Sequence, residues 1–144
     1  MKRMGLIIGL ALCVSITGCG TKADASFKNT FVKALNSRWD AEMALEENTK
    51  VDPIEEEKVI LDNEHSLISK YRDQEFNDKE TKELFLKYLD NLEKQRELVK
   101  KDRDKEEEKL YNEYCKNEKE IIKEMYNTHH FNFEKKLYDE FIEN

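Results

Sequence analysis

The chain has 144 residues, enough for one domain and too few for two. Charged residues make up 40% of it and the formal net charge is −7, whereas an ordinary globular protein has about 25% charged residues. The acidic balance argues against a nucleic-acid partner, because basic surfaces supply most of that affinity, and against adsorption of the folded part onto anionic lipid. Its 7 Phe, 6 Tyr and 1 Trp lie among aliphatic residues at helical spacing, which favours a folded core over disorder.

Glycine and proline are rare and unevenly placed. All 4 glycines lie at or before residue 20, and the 1 proline is Pro53. A β-sheet domain of this size needs tight turns, which usually contain glycine or proline, whereas abundant Glu, Lys and Leu favour helices. The sequence therefore predicts an all-α fold, an antiparallel bundle of four to five helices after a cleaved signal peptide.

The first 18 residues have the organisation of a secretory signal peptide. Lys2 and Arg3 form a basic segment, and the twelve residues from Gly5 to Ile16 form an apolar run. A membrane-spanning helix needs about 20 apolar residues, so this run is short for a span and has the length of a signal-peptide core. We therefore expect residues 1–18 to be removed from the mature protein.

The end of the apolar run, Ile16-Thr17-Gly18-Cys19, resembles the lipobox of bacterial lipoproteins. The resemblance implies that the Cys19 thiol carries diacylglycerol, and that signal peptidase II recognises Ile16, Thr17 and Gly18 and cleaves before Cys19. Further acylation, for example with palmitate, would then hold the protein on the membrane, since two acyl chains anchor firmly where one is marginal. The alternative is a signal peptide without lipid, or a short membrane anchor.

Cleavage at this point would change the cysteine inventory. Of the 3 cysteines, Cys13 would leave with the signal peptide and Cys19 would be a thioether, so that Cys115 is the one ordinary thiol. Cys115 lies on the apolar face of its predicted helix, which predicts a buried, unreactive side chain. The mature chain would consist of a lipidated tether, residues 19–24, and an acidic bundle, residues 25–144, with net charge −9.

The first predicted helix begins near Ala25 and fades within residues 46–53. Its apolar stripe recurs every fourth residue, at Phe27, Phe31, Leu35 and Trp39. This spacing predicts that Trp39 belongs to the core. The alternative is that Trp39 contacts a partner, since exposed tryptophans dominate binding hot spots.

The second and third predicted helices have clear start signals. Asp52 offers an N-cap and Pro53 the first helical position of a helix that extends to about Arg72. Asn77, with Glu80 three residues later, predicts the cap of a third helix over residues 78–100. In that helix Gln95 and its neighbour interrupt the apolar stripe.

The run from Lys100 to Lys109 is the most highly charged part of the chain, and it is either a loop or an exposed turn of one long helix. We favour a break near residues 101–104. A fourth amphipathic helix follows and ends near residues 127–132, after which Asn132 can cap a short last helix.

No catalytic or metal-binding constellation is evident in the sequence. The histidines are His65, His129 and His130, and adjacent residues on a helix point about 100° apart, so the last two rarely share one ion. Gly-rich phosphate loops are missing after the signal peptide. We therefore expect no metal, no cofactor and no enzymatic activity.

The mature chain resembles the small helical surface lipoproteins of low-GC Gram-positive bacteria, through the stretches SFKNTFVKALNSRWD and KYRDQEFNDKETKELFLKYLDNLEKQ. Some members of that class are described as cell-wall-binding. The resemblance implies a non-enzymatic binding or structural protein on the extracytoplasmic face of the cell membrane, attached to lipid through Cys19 and contacting a protein or the wall. The alternative is a protective lipoprotein that gives immunity to a bacteriocin or excludes phage or plasmids.

Overall fold

The computed structural model describes residues 20–47 and 51–143. This part of the chain contains five α-helices and no β-strand, which confirms the predicted all-α bundle. The helices are α1 (Gly20–Glu47), α2 (Pro53–Ile68), α3 (Lys79–Leu98), α4 (Lys105–His129) and α5 (Lys135–Glu143). One 3₁₀ turn, Ser69–Tyr71, continues α2.

The first four helices run up, down, up and down. The start of α1 lies beside the end of α2, where the Ser26 and Tyr71 hydroxyls are 3.2 Å apart. The start of α3 lies beside the end of α4, where Thr81 Oγ1 is 3.2 Å from His129 Nδ1. Each of these helices packs on the next along the chain, and α5 packs on α1. Short connections between sequential helices favour this antiparallel topology.

The start of α2 follows the predicted capping chemistry. The Asp52 carboxylate accepts a hydrogen bond from the Ile54 N–H at 3.1 Å, and Pro53 is the first residue of α2, as predicted. The predicted break near residues 101–104 is also confirmed, since α3 ends at Leu98 and α4 begins at Lys105. Asp104 and Glu107 form a capping box that fixes the start of α4.

Three boundaries differ from the prediction. α1 begins at Gly20 and not near Ala25, so residues 20–24, predicted as a tether, are helical. No residue from 21 to 24 breaks a helix, and the carboxylate of Asp24 accepts hydrogen bonds from the Asn77 N–H at 3.1 Å and the Asp78 N–H at 3.4 Å. These bonds fix the first turns of α1 to the loop before α3.

The other two corrections concern caps. Asp78, and not Asn77, caps α3, because it accepts hydrogen bonds from the Thr81 N–H at 3.1 Å and the Thr81 hydroxyl at 2.6 Å. Asn132 does not cap the last helix, which begins three residues later, at Lys135. The backbone N–H of the preceding residue, Glu134, donates instead to Asn36 on α1.

The core is unusually aromatic around Phe31. The Phe31 ring is fully buried, and its centroid lies 4.9 Å from that of Tyr88 and 5.5 Å from that of Phe131. The segment between α4 and α5 supplies Phe131 and Phe133, so this connection closes one side of the bundle. Other large side chains in the same core are Phe27, Leu35, Leu61, Ile68, Phe85, Leu89, Leu92, Ile122 and Met125.

Candidate functional site: a buried ionic cluster

Charged and polar side chains from all four long helices meet inside the bundle. Arg38 on α1 is only 6% exposed, although it carries a permanent charge. It contacts Glu64 on α2, Tyr88 and Gln95 on α3, and Glu118 on α4, none of them more than 2% exposed. We call these five residues the buried ionic cluster.

The guanidinium of Arg38 is bonded on every nitrogen. Its Nε donates to Glu42 at 2.7 Å, its Nη1 to Glu64 Oε2 at 3.0 Å, and its Nη2 to Glu118 Oε2 at 3.2 Å. Burial lowers the pKa of Arg38, but the carboxylates of Glu118, Glu42 and Glu64 together raise it well above its ordinary value. Arg38 therefore stays charged in the interior.

Glu118 is the most fully bonded acceptor in the cluster. Its Oε1 accepts from Arg38 Nη1 at 2.5 Å and lies 3.0 Å from the Tyr88 hydroxyl. Its Oε2 accepts from the second Arg38 nitrogen and from Gln95 Nε2 at 2.7 Å. A buried carboxylate with this many donors and a paired guanidinium has its desolvation cost largely offset.

Glu64 has fewer donors. Its Oε2 accepts from Arg38, while its Oε1 contacts only the Tyr88 hydroxyl. Burial and the nearby Glu118 carboxylate raise the pKa of the Glu64 carboxyl, and Arg38 opposes them. The net result is a pKa of about 7, against an ordinary value of 4.5. The surroundings of Glu118 therefore stabilise a negative charge better than those of Glu64 do.

The cluster comes close to solvent through a cleft between α1 and α2. This cleft has a volume of about 110 Å³ and small side chains on one wall. It is lined by Ala34, Ser37, Arg38, Ala41, Ile60, Asn63, Glu64 and Leu67. A cleft of this size admits a few waters. It offers a ligand no free donor from Arg38, because all the donors of Arg38 are already engaged within the bundle.

The buried ionic cluster was not predicted, although the sequence contains a signal for it. Arg38 lies three residues after Leu35, Glu64 three residues after Leu61, and Glu118 four residues before Ile122. Each charged residue therefore stands within the apolar stripe of its helix. Gln95, which interrupts the third stripe, belongs to the same cluster.

The predicted site residues fall in two groups. The lipobox residues Ile16, Thr17, Gly18 and Cys19 lie outside the described residues. Trp39 is 2% exposed and its ring stacks on Phe141 at a centroid distance of 4.8 Å, so it belongs to the core. Because so little of its side chain is exposed, Trp39 offers almost no surface for the alternative role of contacting a partner.

A small pocket of about 140 Å³ lies beside Trp39, between α1, α4 and α5. It is lined by Trp39, Glu42, Met43, Lys119, Leu137, Glu140 and Phe141. Within the described residues, Trp39 Nε1 and Glu140 Oε2 have no hydrogen-bond partner, yet both atoms are shielded from solvent. Because neither atom has solvent-accessible surface, neither is exposed to a molecule in this pocket.

Two of the three histidines, His65 and His129, have structural partners. His129 Nδ1 lies 3.2 Å from the Thr81 hydroxyl and 3.5 Å from Asp78, an arrangement that resembles a Thr-His-Asp triad. Thr81 is fully buried and its hydroxyl donates to Asp78, so it is not available to attack a substrate. His65 Nε2 lies 3.1 Å from Glu93 on the surface. Over residues 20–47 and 51–143, no group of side chains is arranged to hold a metal ion.

Cys115 is half-buried, which corrects the predicted full burial. Burial raises the pKa of its thiol to about 11, and the Glu118 carboxylate adds to this effect. The thiol is therefore protonated at neutral pH and a poor nucleophile.

None of the helices in the described ranges is both long enough and apolar enough to cross a bilayer. No protein-family model, no curated protein and no solved structure matches the chain.

Proposed function

We propose that this protein is a lipoprotein anchored to the outer face of the cell membrane through Cys19, and that its bundle is a non-enzymatic binding or structural module. The observation that carries the proposal is Ile16-Thr17-Gly18-Cys19 at the end of a short apolar run that follows Lys2 and Arg3. The basic segment, the length of the run and the position of the cysteine agree with one another.

The start of the bundle supports this placement. α1 begins at Gly20, and Asp24 is hydrogen-bonded to the loop before α3. A helix rises about 1.5 Å per residue, so Gly20, which directly follows Cys19 in the sequence, lies roughly 6 Å from Asp24 along the axis. A lipid on Cys19 would therefore hold the end of the bundle formed by the start of α1 and the residue 72–78 loop next to the membrane surface.

The interior chemistry supports a binding or structural role over a catalytic one. The charged groups inside the bundle bond to each other, with Arg38, Glu64 and Glu118 all buried. Such a network specifies helix packing, and the charged groups within it bond to one another and not to a substrate-sized cavity.

Replacement of Cys19 by alanine is expected to abolish lipid attachment. Cells fed labelled palmitate should label the wild-type protein and hold it in the membrane fraction, whereas Cys19→Ala should carry no label, because the thioether cannot form. Cys115→Ala is the matched control, since it removes the other thiol of the mature chain and should keep the label. An unlabelled wild type that fractionates like Cys19→Ala would overturn the anchor.

Cross-linking on intact cells tests the binding role. A membrane-impermeant amine-reactive reagent should reach exposed lysines on several faces, among them Lys33, Lys58, Lys87, Lys109 and Lys116. We expect a reproducible envelope protein or wall fragment to be captured with the wild type, and less of it with Cys19→Ala. Capture of a bacteriocin or phage component would favour the protective alternative, and a wild type that captures no more than an unrelated lipoprotein would contradict a binding role.

A further inference from the structure

A count of hydrogens around Tyr88 shows that the buried ionic cluster needs one more proton than its ionised form supplies. The Tyr88 hydroxyl oxygen is within hydrogen-bond distance of Glu64 Oε1 and lies 3.0 Å from Glu118 Oε1. A hydroxyl has one hydrogen and can donate to only one of these oxygens. The contact with the other glutamate can be a hydrogen bond only if the carboxyl of that glutamate carries a hydrogen.

The bonding pattern identifies which carboxyl holds that proton. Glu118 accepts from two nitrogens of Arg38 and from Gln95, so both of its oxygens are engaged as acceptors. Glu64 Oε2 accepts from Arg38, whereas its Oε1 has the Tyr88 hydroxyl as its single partner and can therefore carry a hydrogen directed at that oxygen. The consistent arrangement is a chain in which Glu64 donates to Tyr88 and Tyr88 donates to Glu118.

We propose that Glu64 is a pH-sensitive switch in the bundle: its protonated form holds α2 in place, and its ionisation loosens α2 from the other helices. The switch belongs to the bundle itself and does not depend on the lipid anchor. The proton is exchanged with solvent through the cleft between α1 and α2, which Arg38 and Glu64 both line.

The charges that face Glu64 explain why its ionisation is costly. α1 contributes Arg38 and the partly exposed Glu42, α3 contributes Tyr88, and α4 contributes Glu118. Ionised Glu64 would make three carboxylates around one guanidinium, with two of them fully buried. Burial raises the pKa of Glu64 to about 7, and its ordinary value is 4.5. The charge change therefore falls near neutral pH.

α2 is the helix that depends most on this residue. Its buried side chains are Leu61, Glu64 and Ile68, whereas α3 buries eight residues. Val59 and Leu67 of α2 are 52% and 46% exposed and add little to the buried core. Glu64 is one of the three buried side chains of α2, so a charge there acts on a large share of the buried surface that holds α2 to the bundle.

The direction of the pH effect follows from proton linkage. Because the pKa of Glu64 is higher in the folded protein than the ordinary 4.5, the folded state binds the proton more tightly. The stabilisation of the folded state by the proton on Glu64 is fully present below pH 4.5 and is lost as the pH rises through about 7. A Glu64 pKa of 4.5 in the open state and about 7 in the folded state corresponds to a roughly 300-fold increase in the equilibrium constant for opening or unfolding, from low pH to a pH well above 7.

Amide hydrogen exchange on the full chain in detergent micelles tests the switch. Intrinsic exchange rates change with pH, so the protection of α2 is expressed relative to that of α3 in the same sample. We expect this ratio to fall about tenfold between pH 6 and pH 8 in the wild type. Glu64→Gln should keep the ratio constant, because a carboxamide accepts from Arg38 and donates to Tyr88 at every pH. Glu56→Gln, on the exposed face of α2, is the matched control and should behave like the wild type.

A second measurement keeps the proposal testable if Glu64→Gln does not fold. The side-chain carboxyl of Glu64 in ¹³C-labelled wild-type protein should titrate near neutral pH, well above the exposed glutamates. An ionised Glu64 at pH 6 would overturn the proposal, and so would a constant ratio of α2 to α3 protection between pH 6 and pH 8. A Glu64→Gln variant that retains the wild-type pH response would also overturn it.

Discussion

Arg38→Met is expected to lower the free energy of unfolding by about 3–5 kcal/mol at pH 7, because it leaves buried carboxyl groups without their cation. The substitution removes the bonds from Arg38 to Glu64 and Glu118, while the methionine keeps much of the side-chain volume. Urea unfolding of the purified full chain, followed by circular dichroism, measures the loss. The helix pairs that it weakens are those between α1 and its neighbours α2 and α4.

The pH dependence of this loss distinguishes charge from packing. Acid should reduce the deficit of Arg38→Met, since protonation of a buried carboxyl removes a negative charge that has lost its cation. The triple variant Arg38→Met, Glu64→Gln, Glu118→Gln should recover most of the stability, because replacing every charge of a buried ionic group is often close to neutral. An Arg38→Met protein that unfolds at the wild-type urea concentration would show that the cluster is energetically unimportant.

The fold was largely predictable because the information is local to each helix. The four-residue spacing of Phe27, Phe31, Leu35 and Trp39 places them on one face, and all four side chains are buried. The start of α2 was equally clear from Asp52 and Pro53. The cap of α3 was harder to predict, because Asn77 and Asp78 are adjacent and both residue types cap helices well. Asp78 is the cap in the structure, where the Asn77 N–H makes a tertiary bond to Asp24 that the local sequence does not reveal.

The ionic cluster was not predictable from single helices for a physical reason. The apolar stripes around Arg38, Glu64 and Glu118 show that each residue faces inward, but not that all three meet at one level of the bundle. Whether they meet depends on the axial register between the helices. This register is set by loop lengths and packing, and the periodicity of a single helix carries no information about it. Cys19 is the opposite case, since its predicted role rests on adjacent residues alone.

Phe31→Ala is expected to destabilise the protein by about 3–5 kcal/mol, through the apolar area lost and the cavity left behind. The Phe31 ring is fully buried and lies near Phe27, Tyr88 and Phe131, at centroid distances of 5.4, 4.9 and 5.5 Å. These neighbours belong to α1, α3 and the segment before α5, so they cannot collapse into the space together. Urea unfolding of the full chain again measures the effect.

Two controls separate this cavity from a general loss of aromatic residues. Phe31→Leu should cost about 1–1.5 kcal/mol, because most of the volume is kept. Phe76→Ala, in the loop before α3, removes a partly exposed ring that also contacts Phe27 and should cost less than Phe31→Ala. Because no ionisable group is removed, the loss in Phe31→Ala should stay nearly constant between pH 5 and pH 8. A loss that shrank in acid, as expected for Arg38→Met, would mean that Phe31 acts mainly by positioning the hydroxyl of Tyr88 within the ionic cluster.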